Sequence, residues 1–464
     1  MKKRIVVAGA GHGGLVAAYY LALAGYNVTV YERQAEGTLG YEQSDSVHLD
    51  GFEEAGIPVP EKYRVKRTPL SFIIPGTDLP PLTQGVHDDS YNVEIDRKAL
   101  YDLLLGLAEE AGATVLYGVT VEGPIMLGSR VAGIRTSSGC VYADLVIDAC
   151  GLSSPVRKNL PEFTLTDKEA ARPDMLTAYR AYFDRVPDTE DPAQKYKVYL
   201  IPGENAGLMW TIVHPDNVDV LIGAFSDLTR EQIEEKLSYL RSVNPQLGQT
   251  LLKGGDCHLI PLRQPMAVLV ADGYAAIGDA AFMTIPIKGS GVGYSMRAGK
   301  ILAKCVIEDE QGLFNRETLW SYQCAFFDEV GFDGGLLAII KNLIPVITQE
   351  DIEYVFSAGI LSPEMLQKFG NEEGMAKVLS SLTFGNARDL AKKVVGHQRL
   401  RRIILSTAKN LARYAMVRQN LREKYESRNV EKWAASYNRF FANLSEPKTD
   451  DADMDDPVSL EPAE

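Results

Sequence analysis

Three glycines, Gly9, Gly11 and Gly14, and one acid, Glu32, are the first residues whose spacing could do chemistry. They read G-x-G-x-x-G, with Gly13 as an extra glycine inside the motif. Glycines so placed serve a pyrophosphate. The first permits a tight turn, the second lets the backbone approach the phosphates, and the third lets a helix pack on a strand. Free N–H groups at a helix start, with the dipole behind them, attract the anion. Glu32 stands 18 residues after Gly14, where an acid can accept from ribose hydroxyls. An acid there suits an unphosphorylated ribose, hence NAD or FAD rather than NADP.

Such residues need elements to hold them. Residues 5–8 read as a short apolar strand and 15–24 as a helix rich in alanine and leucine. Gly25 ends that helix, and 27–31 form a second strand with Glu32 at its tip. Strand, glycines, helix, strand and acid fall within ~30 residues, the span of one βαβ unit, which favours a dinucleotide site over a glycine-rich surface turn. Three later segments carry further candidates. In 93–123 a strand leads into Arg97, an amphipathic helix follows, and a strand ends near Val121. In 142–160 a buried strand runs into a glycine turn with Ser153, Ser154 and Arg157. In 271–303 a strand delivers Gly278 and Asp279, a glycine-rich loop spans 286–293, and helix 293–303 starts there. Asp279 can reach a ribityl hydroxyl, and the loop brings backbone N–H groups toward a flat polar ring.

Together these segments resemble the FAD-dependent family that includes aromatic hydroxylases, flavin halogenases and geranylgeranyl reductases. The resemblance covers roughly residues 1–305. It implies an α/β fold: a discontinuous Rossmann-like FAD-binding domain (1–61, 93–161 and 257–305) with an inserted mixed β-sheet substrate domain (62–92 and 162–256). A helical C-terminal region, 306–445, and a disordered acidic tail, 446–464, complete the division. It implies that Gly9, Gly11 and Gly14 take the pyrophosphate of FAD and Glu32 its adenosine ribose. Arg97 approaches the phosphates, and Val121 packs near the adenine. Asp279, Gly291 and Val292 meet the ribityl chain and the isoalloxazine. A solvated helix-start charge is the alternative for Arg97, and plain core for Val121.

Departures within the family separate its branches. The hydroxylases' Asp-Gly pair linked to NADPH is replaced by Cys150-Gly151, with Cys150 read as a small buried residue rather than a reactive thiol. The halogenases' W-x-W-x-I-P is absent; Leu208, Trp210 and Ile212 stand there. The reductase branch fits better. Residues 39–57 keep its ending FEEAGI, and place Gln43, Ser44 and Ser46 where its cysteine and glycines would fall, so the resemblance implies that Gln43 and Ser44 neighbour the cofactor. Residues 207–215 keep Trp210 of its Y-x-W-x-F-P strand but not the tyrosine or the final Phe-Pro. Residues 217–225, the 257–265 return and ILSPEML (360–366) also resemble that branch. Gln43 can only donate and accept hydrogen bonds at neutral pH. No catalytic acid or base is assignable; His214, in a turn, and Tyr41 are the weak candidates.

The function this implies is an FAD-dependent oxidoreductase that reduces carbon–carbon double bonds of a prenyl-type or other hydrophobic substrate by hydride transfer from reduced flavin. The alternatives are an FAD-dependent monooxygenase or halogenase acting on a small aromatic, and a non-catalytic use of the fold. Val198, Leu200, Leu208, Trp210, Ile212, Leu221 and Phe225 are the candidate wall of an apolar slot, or a plain core face. Period-two alternation puts Leu208, Trp210 and Ile212 on one face of their strand. No second G-x-G-x-x-G appears, so the electron donor would be transiently bound NAD(P)H, ferredoxin or another carrier.

Composition narrows the partners. The chain has 464 residues and a net charge of −14, which disfavours nucleic acid. Residues 446–464 hold eight acids, one lysine and three prolines, too polar to offset their ordering entropy. Five cysteines with no C-x-x-C argue against a disulfide framework or a zinc site and suit a reducing cytoplasm. No stretch approaches 18 uncharged apolar residues, so no membrane span is expected. The apolar run 334–347 reads as a core helix over a substrate tunnel or a membrane-facing one, the core reading preferred. A basic amphipathic helix over 397–428 could lie on anionic lipid, face solvent, or meet the acidic tail.

Overall fold

This computed structural model describes residues 2–41, 43–86, 90–203, 206–360, 366, 394 and 396–445. The acidic segment 446–464 and residues 361–365 of the ILSPEML stretch lie outside the described residues. The nucleotide fold centres on a six-stranded sheet. Its order is Val270–Ala271, Tyr274–Ala276, Leu145–Asp148, Arg4–Ala8, Asn27–Tyr31 and Thr114–Leu116. Arg4–Ala8 pairs in parallel with both Asn27–Tyr31 and Leu145–Asp148. Ile5, Val6, Val7, Leu145, Val146 and Ile147 are fully buried, the uninterrupted apolar run of a parallel strand covered on both faces.

The first helix, His12–Leu23, begins earlier than its sequence pattern marks, so Gly13 and Gly14 lie inside it. The extra glycine has a packing reason. A Cβ at Gly13 would strike the Ser295 carbonyl, and one at Gly299 would strike the Gly13 carbonyl. Gly13 therefore lets His12–Leu23 cross closely over the helix Val292–Glu308.

A second sheet, within the segments expected to form the substrate domain, has seven strands: Leu247–Pro261, Met175–Arg185, Asn217–Ala224, Gly207–Val213, Tyr196–Ile201, Leu70–Ile73 and Leu82–Thr83. It is antiparallel except where Tyr196–Ile201 meets Leu70–Ile73. One face packs Met209, Val213, Val220 and Ile222 against Leu237 and Leu240 of the helix Arg230–Val243. A capping box between Thr229 and Gln232 starts that helix. The other face looks back toward the nucleotide fold. A small sheet of Ser44–His48, Tyr91–Asp96 and Arg64–Lys66 bridges the two. Two strands, Tyr91–Asp96 and Leu247–Pro261, run across the expected 92/93 and 256/257 boundaries without a break.

The C-terminal helices pack as an aromatic cluster that includes Phe327, Phe332, Tyr414, Trp433 and Tyr437. Trp433 Nε1 donates to the Ala267 carbonyl at 2.7 Å and Tyr437 Oη to that of Pro265 at 3.0 Å, which fixes the cluster to the nucleotide fold. Lys341, the one charge in the apolar run, is buried and donates to Asp174 at 2.9 Å. The basic helix is shorter than expected: it spans Gln398–Arg418, and the next helix is Ser427–Ser445. Trp320 Nε1 donates to the Arg422 carbonyl at 2.7 Å and holds the intervening chain as a loop. No helix among the described residues is long and apolar enough to cross a membrane.

Candidate active site

One cavity of about 1540 Å³ joins the two sheets and reaches the C-terminal helices. That exceeds the ~300–1,000 Å³ of an ordinary small-molecule site and leaves room for two ligands side by side.

Its nucleotide end is built from backbone. Gly9 has φ +84°, and a Cβ there would lie 2.7 Å from the Ala149 carbonyl oxygen. At Gly11 the same oxygen would be 2.8 Å away, and at Gly14 the Ala149 Cβ 2.6 Å away. The glycines thus press their loop against the turn after Leu145–Asp148. The Glu32 carboxylate accepts from Ala10 N and Gln34 N, both at 2.9 Å, so it is fixed at the strand tip with lone pairs left for hydroxyls. Cys150 N donates to Asp148 Oδ1 at 3.1 Å, and burial pushes the Cys150 thiol well up, so it is no thiolate. Val121 opens the strand Val121–Leu127 at the rim of this end.

The second contribution comes from the other side of the helix pair. Gly291 precedes the helix Val292–Glu308, and a Cβ on it would lie 3.2 Å from Thr284 Oγ1 and 3.6 Å from Asp279 Oδ1. Thr284 donates to Asp279 Oδ1 at 2.7 Å, while burial raises the Asp279 carboxyl above its ordinary range. Neither His12–Leu23 nor Val292–Glu308 has a side-chain cap at its N-terminus. By contrast, Asp96, Thr229, Asn315 and Thr348 cap the helices that follow them. Two helix starts without side-chain caps therefore line one cavity, with a fixed carboxylate nearby. That arrangement fits a dinucleotide carrying a pyrophosphate and a second polar ring system.

Gln43 and Arg97 also line the cavity. Arg97 pairs through Nε and Nη2 with Asp45, and its backbone N donates to the Gln43 carbonyl at 2.9 Å. Ser44 is the one expected cofactor neighbour that does not line the cavity. Its backbone is instead bound by Tyr182 and Arg180 of the seven-stranded sheet. Tyr41 lines the cavity with its ring 4.8 Å from that of His258. His214 does not: it sits in a turn, its N donating to Asn217 O at 2.9 Å.

The apolar end of the cavity is built from side chains. Leu208, Trp210 and Ile212 share one face, half-buried, and line the cavity with the four other apolar candidates. Opposite them, Ile340, Leu343, Ile344 and Ile347 of the apolar run, and Ile403, Ile404 and Leu411 of the basic helix, close the space. Several polar residues were not legible. Arg180 donates from Nε to Asp219 Oδ1 at 3.1 Å and from Nη2 to Asp219 Oδ2 at 2.7 Å. It also lies 5.5 Å from the Trp210 ring. Burial, then Asp219, hold the nearby Tyr196 phenol protonated. His12 stacks on Tyr101 at 4.6 Å, and burial, then Arg97, push its imidazole well down. The available signal was Arg180 in the middle of the strand Met175–Arg185, ahead of the charged end Asp184-Arg185, and a lone acid, Asp219, in NVDVLIGAF.

Fold and site fit a flavin-type nucleotide-binding oxidoreductase with a second, seven-stranded sheet joined to the nucleotide fold. The model of the FAD dependent oxidoreductase family matches residues 39–305, and a model described as an NAD(P)-binding Rossmann-like domain matches 7–51. The chain belongs to the FAD dependent oxidoreductase family, and FAD is its cofactor. It is similar to the digeranylgeranylglycerophospholipid reductase of Sulfolobus acidocaldarius, 25% identical over 79% of this chain and 82% of that one. Among solved structures it is similar to a geranylgeranyl bacteriochlorophyll reductase-like protein of Thermoplasma acidophilum. There the TM-score is 0.69 and the identity 19%, over 84% of this chain and 99% of that one. A probable FAD-dependent monooxygenase, PqsL of Pseudomonas aeruginosa, shares the fold at TM-score 0.58 and 19% identity, over 77% of this chain and all of that one.

Proposed function

We propose that this oxidoreductase reduces carbon–carbon double bonds in a prenyl-type hydrophobic substrate. The observation that carries the reading is the continuity of one cavity from the uncapped helix starts to the apolar wall around Trp210. The similarity to reductases named for digeranylgeranylglycerophospholipid supports the substrate class.

In this reading Gly9, Gly11 and Gly14 let the backbone approach the FAD pyrophosphate, and Arg97 adds charge beside it. Glu32 accepts from the adenosine ribose, and Val121 packs by the adenine. Asp279 accepts from the ribityl chain, with Gly291 and Val292 leaving the ring its space; Gln43 sits at the ring's far side. Bound FAD supplies the hydride chemistry. Leu208 and Trp210 hold the substrate's apolar chain, and Ile344 and Leu411 across from them keep water out. The division into nucleotide, substrate and helical regions at the boundaries given above belongs to the same proposal. The redox partner is a small carrier of the NAD(P)H or ferredoxin class. The exposed Arg401, Lys409 and Arg413 of the basic helix, whose other face lines the cavity, would meet an anionic membrane surface that supplies the lipid.

The test is anaerobic reduction of the FAD-loaded protein with dithionite, followed by a prenyl lipid. A product heavier by two hydrogens per saturated double bond supports the reading. Reduced protein that leaves every prenyl lipid unchanged, but consumes NAD(P)H and oxygen with a small aromatic, would replace it with a monooxygenase.

A further inference from the structure

Arg180 spends its guanidinium on four acceptors. Nε and Nη2 grip the two oxygens of Asp219, which is buried at 2% exposure. Nη2 also donates to the Ser44 carbonyl at 2.7 Å, and Nη1 to Gln43 Oε1 at 3.2 Å. Arg180 and Asp219 belong to neighbouring strands of the substrate sheet, whereas Gln43 and Ser44 belong to the segment that leaves the nucleotide sheet. Tyr182, two residues along, reinforces the grip by accepting from Ser44 N at 2.9 Å. One buried ion pair of the substrate sheet thus orients a turn of the nucleotide fold.

The chemistry decides which way the Gln43 amide faces. Arginine has only donors, so the atom it meets must be the amide oxygen. The NH₂ group is then turned away from Arg180, and it donates to no described residue. Gln43 itself lines the cavity, and so do Gly289, Ser290 and Gly291 of the loop before the helix Val292–Glu308.

We infer that Arg180, clamped by Asp219, is a positioning residue: it holds Gln43 with its amide N–H groups turned to the cofactor ring and thereby raises the reduction potential of bound FAD. The inference rests on the proposed placement of the ring beside Gln43. A fixed donor beside the ring favours the electron-richer, reduced state, and hydrogen bonds to the ring are among the means by which a protein tunes a flavin. A glutamine free to flip would offer oxygen as often as N–H and lose that bias.

The test is spectroelectrochemical titration of FAD-loaded protein, with FAD affinity measured on the same samples. Gln43→Leu should shift the oxidised–reduced equilibrium about tenfold toward the oxidised form, ~30 mV for a two-electron couple. Replacing the ion pair by the neutral pair Arg180→Met with Asp219→Leu leaves no orphaned charge and little change in net field. It should shift the potential in the same direction. Adding Gln43→Leu to that background should give no further drop, because the pair acts through Gln43. Should the neutral pair fail to fold, Arg180→Lys takes its place, since a single ammonium lacks the planar fork that reaches Asp219, Ser44 and Gln43 from three nitrogens. Shifts that add, or a Gln43→Leu protein with unchanged potential, would overturn the inference alone. Protein that binds no FAD would overturn the proposed site and the inference with it.

Discussion

The two ends of the cavity are made of different material. At the glycine-rich end the wall is largely backbone: helix starts without side-chain caps at His12 and Val292, and glycines pressed against Ala149. At the apolar end the wall is made of side chains on strands and helices far apart in sequence, from Val198 to Leu411. Backbone N–H groups hold an anion whatever side chains flank them, so that end depends on the absence of side chains. The apolar end depends on their size and shape, and it can change without disturbing the other.

Substitutions can break that contrast. The largest effect is expected at Gly11, where a Cβ would lie 2.8 Å from Ala149 O. Gly11→Val should weaken FAD binding by about 100-fold or more, ~2.7 kcal/mol, in a fluorescence titration. Retention within tenfold would show that close backbone approach is not what holds the cofactor. Trp210→Ala should leave FAD affinity within about twofold while raising the prenyl substrate's KM about tenfold, ~1.4 kcal/mol. Loss of FAD from that variant would show that the two ends are not separable.

Titration sharpens the contrast further. Burial, then Arg97, keep the His12 imidazole well below its ordinary pKa, so it is neutral when folded. An unfolded chain takes up that proton near pH 6.5. The stability is therefore present above about pH 6.5 and is lost as pH falls below it, at up to about 1.4 kcal/mol per pH unit. In urea unfolding of FAD-free protein at pH 7 and pH 5.5, His12→Gln should show a smaller fall than the wild type. Equal falls would assign the effect to other groups. The smallest effect is expected outside the cavity. Replacing Arg401, Lys409 and Arg413 together by glutamine should change stability by within about 0.5 kcal/mol and leave FAD bound. Flotation with anionic vesicles at low salt should drop; unchanged flotation, or none in the wild type, removes the membrane proposal.

The same contrast explains what was legible in the sequence. Gly9 to Glu32 is one contiguous unit whose chemistry is carried by spacing, and Asp279 to Val292 is another. The alternation in the strand Gly207–Val213 told which residues share a face, and that face lines the cavity. Arg180 and Asp219 are 39 residues apart and meet diagonally across an antiparallel register, which no local pattern encodes. Ser44 was grouped with Gln43 by their place in the family pattern, yet its backbone is taken up by Tyr182 and Arg180 of the other sheet, a long-range contact that pattern does not show. Gly13 belonged to a motif by position but to a helix crossing by contact. The basic helix was read past its end because charge continues to Lys424 while the helix stops at Arg418, where packing against Trp320 takes over.

The central claim is that cofactor and apolar substrate lie side by side in one space. Adding a prenyl lipid to protein loaded with oxidised FAD, without reductant, tests it most directly. The account predicts a saturable change in the flavin absorption bands, shifted to higher lipid concentration by Trp210→Ala. Lipid that binds the protein while the flavin spectrum stays unchanged would contradict it.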